Sequence, residues 1–147
     1  MKRTFFGFLC SVAMAAQAAE SYSIYENRRF NFSVDVPAIL EPQGESGNGD
    51  GQIFSSKDGD ATARVHGSYA GPCDAVSMID DPQGSSVTYR FAKRGVSVVS
   101  GYRQDRIFYK KAIRKKDRCL MLDIEYAIRA RKVYDPITVR MANSLGG

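Results

Sequence analysis

The sequence predicts an α+β domain: an antiparallel sheet of six or seven strands, with a C-terminal helix on one face and a short middle helix on the other. Three observations carry this. Apolar and polar residues alternate strictly through several short runs, among them Phe30, Phe32, Val34 and Val36 and later Leu120, Leu122, Ile124, Tyr126 and Ile128. The runs are separated by turn-forming clusters such as Asn48-Gly49, Asp58-Gly59 and Arg94-Gly95. After Asp135-Pro136 the apolar residues change to helical spacing, at Ile137, Met141 and Leu145.

The N-terminus reads as a secretory signal. Lys2 and Arg3 precede a short apolar run from Phe5 to Ala16, and Ala16-Gln17-Ala18 has the small-residue pattern of a cleavage site. Residues 1–18 are therefore expected to be removed, leaving residues 19–147 as a single periplasmic or secreted domain. The apolar run is too short to span a bilayer, and no later stretch approaches the ~20 apolar residues a membrane helix needs. Cys10 does not read as a lipoprotein cysteine, because the apolar run before it is short and Phe8 is bulky where a small residue is required.

Cleavage removes Lys2 and Arg3 and no acidic residue, so the net charge falls from +5 to +3. That mild excess gives no argument for nucleic acid; an acidic protein surface or an anionic envelope polymer is the more natural partner. Cleavage also leaves two cysteines, Cys73 and Cys119. In an oxidising compartment the pair reads as one disulfide, with two buried free thiols as the alternative. Two distant cysteines and a single histidine, His66, do not make a zinc site. No cofactor is expected.

Taken in order, Tyr22 to Tyr25 reads as a short strand and Phe30 to Val36 as a half-buried one, ended by Pro37. Gln43 to Gly51 reads as a glycine-rich turn region. A hairpin follows, Gln52 to Ser56 and Ala61 to Tyr69, whose inward residues Ala61, Ala63, Val65 and Gly67 are small enough to admit a closely packed helix. Gly71 to Asp81 is expected to hold the middle helix, closed by Pro82. Val87 to Phe91, Val96 to Val98 and the hairpin Asp105 to Ile128 complete the sheet.

That last hairpin is expected to turn at Asp117-Arg118. One face then pairs Ile107 with Ile128, Tyr109 with Tyr126 and Ile113 with Leu122, and the other pairs Lys110 with Glu125 and Ala112 with Asp123. Lys111 interrupts the apolar face and is expected to snorkel. For the terminal helix, Asp135 reads as N-cap, Pro136 as N1, Tyr134 and Val139 as a staple, and Gly146 as the closing cap.

The run Tyr25-x-Asn27-x-Arg29-Phe30-x-Phe32-x-Val34-x-Val36-Pro37, then Asn48-Gly49-Asp50-Gly51-Gln52-x-Phe54 and Asp58-Gly59, and finally Tyr134-Asp135-Pro136, resembles a set of small exported bacterial proteins. These resemble the Mog1/PsbP-like α/β/α sandwich. The resemblance covers most of the mature chain, but its motifs are strand and turn patterns. It implies a non-enzymatic binding or accessory protein and carries over no catalytic residue.

The residues themselves agree. His66 has no G-x-S-x-G nucleophile elbow to serve. The Glu45 to Gly51 loop misses the calcium-loop spacing and its bidentate glutamate. Asp123 and Glu125 lie two apart on one strand face, a spacing glycosidases can use, yet a cross-strand ion pair to Lys110 accounts for them and gives neither a reason for a raised pKa. The most distinctive surface is basic: Arg103, Arg106, Lys110, Lys111, Arg114, Lys115, Lys116 and Arg118, with Arg129, Arg131 and Lys132 across the hairpin. It reads either as a solvated edge guarded against aggregation or as a contact site for an acidic partner. The expected binding residues are Arg106, Lys110, Arg114, Lys116, Arg64 and His66. The expected function is protein binding in the envelope, in its sharpest form as an inhibitor or immunity protein against an envelope-acting enzyme. An accessory module of an envelope assembly, and a hydrolase with an unrecognised site, are the alternatives.

Overall fold

Between residues 20 and 147, which the computed structural model describes, the alternating runs become nine strands and the terminal periodicity becomes one α-helix. The expected signal segment, residues 1–18, lies outside the described residues. The first two strands, β1 (Tyr22–Asn27) and β2 (Phe32–Pro37), pair only with each other, as a two-stranded antiparallel ribbon. The other seven form one antiparallel sheet: β3 (Glu41–Glu45), β4 (Gly51–Ser55), β5 (Ala61–Ser68), β6 (Ser85–Lys93), β7 (Val96–Arg103), β8 (Arg106–Arg114) and β9 (Cys119–Ala127). Their spatial order is β3-β4-β5-β9-β8-β7-β6. The helix, α1, is Arg131–Ser144.

The sheet's inner face carries Phe54, Ala61, Ala63, Val65, Leu120, Leu122, Ile124 and Tyr126, all buried. They meet Phe30, Phe32, Val34 and Val36 from the ribbon side and Tyr134, Ile137, Met141 and Ala142 from α1. The small inward side chains of β5 make room for the ribbon side rather than for a helix. A Cβ on Gly67 would lie 2.1 Å from Cγ of Phe30. Tyr25 stacks edge-on against Phe54 at 5.7 Å, and its hydroxyl donates to Glu45 at 2.9 Å. Arg140 of α1 sits 3.7 Å over the Tyr22 ring and pairs with Asp35 at 2.9 Å, closing the inner layer.

The outer face is covered by the crossing segment between β5 and β6. Ala75 and Ile79 pack on Val87, Val99 and Phe108, while Cys73 and Met78 pack on Ala112, Cys119 and Met121. Cys73 and Cys119 are bonded, with Cα atoms 5.5 Å apart. The expected middle helix is only one 3-10 turn, Val76–Met78. The groups a helix would use are taken locally: the Ala75 N–H donates to Ser97 at 2.8 Å, the Val76 N–H to the Asp74 carboxylate at 3.3 Å, and the Ser77 hydroxyl to the Asp74 carbonyl at 2.6 Å. Such bonds compete directly with helix formation.

The long hairpin keeps its faces but not its partners. Ile107 lies opposite Tyr126, Tyr109 opposite Ile124, Ile113 opposite Leu120, Ala112 opposite Met121 and Lys110 opposite Asp123. The turn is centred on Lys116-Asp117, closed by the Lys115 N–H donating to the Arg118 carbonyl at 2.8 Å. A shift of two residues leaves every side chain on its own face, because the pleat has period two, so the pattern alone does not exclude it.

The helix start also differs. A 3-10 turn, Ile128–Ala130, leads straight into α1, so the helix begins ahead of Pro136, which lies inside it. Asp135 is not the cap; its carboxylate accepts the Tyr126 hydroxyl at 2.7 Å. Val139 is 60% exposed and forms no staple with Tyr134. Gly146 pairs with Ser33 of β2 (N···O 2.8 and 3.2 Å) instead of capping the helix.

Candidate functional site

The outer face of the sheet gathers most of the expected binding residues into two different environments. One is an ion cluster. Arg64 of β5, Asp123 of β9 and Lys110 of β8 lie opposite one another on adjacent strands. Lys110 is 1% exposed, so it is a buried cation and not part of the surface. Its ammonium lies 2.8 Å from Asp123, 3.6 Å from Glu125 and 3.8 Å from Asp80. Arg103 holds both Glu125 oxygens, at 2.8 and 2.6 Å. Arg106 donates to the backbone carbonyls of Asp60 and Glu125 at 3.2 and 3.3 Å. Above the cluster is a cavity of about 400 Å³, walled by Thr62, Arg64, Asp80, Arg106 and Asp123.

Burial pushes the Asp123 carboxyl up from the usual carboxylate range, and Lys110 only partly opposes it. The alternation of β9 gave no reason for such a shift, because the covering segment that desolvates Asp123 comes from residues 40 positions away or more. Lys111, on the other face, donates to the Ala142 carbonyl at 2.5 Å, a cation at a helix C-terminus. Burial holds its pKa below the ordinary lysine value.

His66 lies beside a second cavity of about 350 Å³, with Gln52, Ile53 and Arg64, under the glycine-rich loop. The loop is clamped by the ribbon: buried Asn27 donates to the Gly49 carbonyl at 2.9 Å, and the Arg29 guanidinium pairs with Asp50 at 2.9 Å and bonds the Asn48 carbonyl. The Asp50 carboxylate is therefore held by Arg29. Burial lowers the His66 pKa first, Arg64 adds to this, and Asp50 opposes it. The folded state thus binds this proton less readily than the unfolded chain. The resulting stability is intact above the ordinary value of 6.5 and is lost as pH falls through the lowered folded value. In urea titrations at descending pH, His66→Gln is expected to flatten that loss, with a change of under about 1 kcal/mol at neutral pH.

The second environment is the end of the sheet that carries the disulfide. The Arg114 N–H donates to the Gly95 carbonyl at 2.7 Å, which brings the β6–β7 turn beside the β8–β9 turn. Lys93 and Arg94 from the first turn join Arg114, Lys115 and Lys116 from the second. None of these five has a carboxylate within 4.0 Å among the described residues. Arg118 differs: it pairs with Asp117 and donates to the Phe30 carbonyl at 2.7 Å. Of the expected binding residues, Arg114 and Lys116 lie here, Arg106 and Lys110 in the ion cluster, and Arg64 and His66 at the cavities. Lys93 and Arg94 went unnoticed in the sequence because they stand apart from the basic run. Their turn position, next to Gly95, was the available signal.

No protein-family model and no curated protein matches the sequence. Solved structures do match in shape. The solution structure of cyanobacterial PsbP (CyanoP) from Synechocystis sp. PCC 6803 superposes with a TM-score of 0.64 at 11% identity, covering 92% of this chain and 97% of that one. The Ran-binding protein Mog1p of Saccharomyces cerevisiae superposes with a TM-score of 0.57 at 8% identity, covering 87% and 96%. At such identities the likeness is one of fold. The chain has the Mog1/PsbP-like architecture that its strand and turn motifs implied.

Proposed function

We propose that this chain is an exported, non-enzymatic binding protein that holds an acidic surface of another envelope or secreted protein with its basic end. The observation that carries this reading is the convergence of Lys93, Arg94, Arg114, Lys115 and Lys116, with no carboxylate within 4.0 Å among the described residues, beside a disulfide that holds the covering segment in place. Around Lys110, by contrast, the cations are paired with Asp123 and Glu125. The carboxylates a hydrolase would need, Asp123 and Glu125, are held by Lys110 and Arg103. The yeast neighbour is a Ran-binding protein, a precedent for protein recognition on this fold. The cysteine bond and the signal-like N-terminus favour the periplasm or the exterior.

The test is recovery of partners from periplasmic extract by the wild type and by the Arg114→Glu/Lys116→Glu variant. Charge reversal is expected to reduce recovery of the specific partner about tenfold, most strongly at low salt. Equal recovery by both proteins rejects the basic end. The finer reading, an immunity protein or inhibitor, requires that the recovered partner be an enzyme whose activity the wild type suppresses. Recovery of a multi-subunit envelope assembly instead assigns the accessory role. Export is checked by the mass of the purified protein, expected to begin at Ala19.

A further inference from the structure

The two edges of the seven-stranded sheet are finished differently. At one edge, β3 is five residues long, contains Pro42, breaks register between Pro42 and Glu45, and has Gly44 at φ 110°. Each of these features discourages another strand from pairing. At the other edge, β6 runs for nine residues with neither proline nor glycine. Its one irregularity falls early, between Val87 and Tyr89, and from Tyr89 to Lys93 it pairs regularly with β7 on one side only. The other side of its backbone is open.

Along its regular part this open edge presents Tyr89, Phe91 and Lys93 on one face and Arg90 and Ala92 on the other. Tyr89 lies opposite Ser100 and Phe91 opposite Val98, which places both aromatics on the inner face, in line with Tyr109 and Lys111 of β8. The helix meets β8 through the Lys111 bond to Ala142. Beyond it Tyr89 is 53% exposed, Phe91 42% and Tyr102 38%. On the opposite face is Arg90; Lys93, opposite Val96, stands at the end of the aromatic face, and Arg94 follows it in the turn. None of the three has a carboxylate within ion-pair distance among the described residues.

We infer that β6 is an acceptor edge for an extended segment of a partner protein in which acidic residues alternate with apolar ones. Such a segment adds an eighth strand. Its main chain pairs with β6, its apolar side chains cover Tyr89 and Phe91, and its carboxylates reach Arg90 on the other face and Lys93-Arg94 at the end. Charge selects this occupant over a second copy. β6 carries cations and no acidic residue, so pairing with itself sets like charges together. Residues 1–19 contain no carboxylate either. The inference rests on the binding-protein reading and deepens it, since β6 runs directly into the basic end at Lys93-Arg94.

The experiment uses the full mature chain and a nine-residue synthetic peptide alternating glutamate with valine and tyrosine. Amide hydrogen exchange is followed by mass spectrometry up to millimolar peptide. Saturable slowing of exchange, about fivefold or more and confined to residues 85–93, is expected. Arg90→Glu is expected to weaken binding about tenfold. The same peptide with alternate backbone amides methylated keeps its charges and is expected to give no protection. No protection of β6 by the unmodified peptide, or equal protection by the methylated one, overturns the edge-strand inference. Slow exchange of β6 without peptide, together with a dimer in sedimentation, overturns it in favour of self-pairing. The Arg114→Glu/Lys116→Glu variant leaves β6 untouched, so failure of the basic-end reading shows in partner recovery and failure of this inference shows in the peptide exchange.

Discussion

Lys110→Met is expected to destabilise the domain by about 3–5 kcal/mol, the range for leaving one half of a buried ion pair uncompensated. The side chain is 1% exposed, is the cation that pairs with Asp123 at 2.8 Å, and lies 3.6 Å from Glu125; the two carboxylate side chains are themselves 15% and 16% exposed. Without it, two carboxylates two residues apart face one another in a desolvated site, and Arg103 answers only Glu125. The Asp123 pKa, already raised by burial, rises further. An acid with a raised folded pKa loses stability as pH climbs from its unfolded value through its folded one, so the deficit grows from acid to neutral pH. Urea denaturation across that range measures it. The paired variant Lys110→Met/Asp123→Leu removes both charges and is expected to recover much of the loss. A single variant as stable as the wild type means that the cluster is hydrated and that its members are available to partners.

Removal of the disulfide in Cys73→Ala/Cys119→Ala is expected to cost about 4 kcal/mol, from the loop-closure entropy of a 46-residue separation. The effect has a local component. Apart from the bond, the crossing segment is held by Ala75, Ile79 and Met78 and by the Ala75–Ser97 hydrogen bond. Amide exchange in residues 71–84 is therefore expected to accelerate more than in β8 or β9. Calorimetry and hydrogen exchange on the reduced and oxidised protein check both statements. Uniform acceleration across the sheet refutes the local component.

The strands and the terminal helix were legible because each depends on neighbours in the chain, and the cysteine pair because cleavage leaves two cysteines, 46 residues apart, to bond each other. Alternation over Phe30 to Val36 specifies a half-buried strand whatever covers it, but not that β1 and β2 form a ribbon of their own, stacked on the sheet. That depends on Phe30 seating against Gly67. The helical spacing at Ile137 and Met141 announced α1, and Pro136 seemed to mark its start. The preceding 3-10 turn delivered the chain already helical, and Tyr126 took the Asp135 carboxylate that was expected to cap it.

For the candidate site the division is sharper. Composition and spacing named Arg114 and Lys116, because a run of cations is visible in any linear reading. They also named Lys110, whose burial depends on a covering segment far away in the chain. Lys93 and Arg94 join the basic end through the pairing of β7 with β8, which the Arg114–Gly95 hydrogen bond extends to the turn.

By itself, then, the sequence determined which face of the sheet the side chains of the long hairpin occupy, because the pleat has period two and a two-residue shift leaves it unchanged; in β6 the register break after Val87 sends Val87 to the face opposite Tyr89 and Phe91. Only the tertiary structure decided which residue lies opposite which, which charges are buried and which sheet edge stays open. Those depend on turn closure, on the covering segment and on strand order, which bring together residues that are distant in the chain.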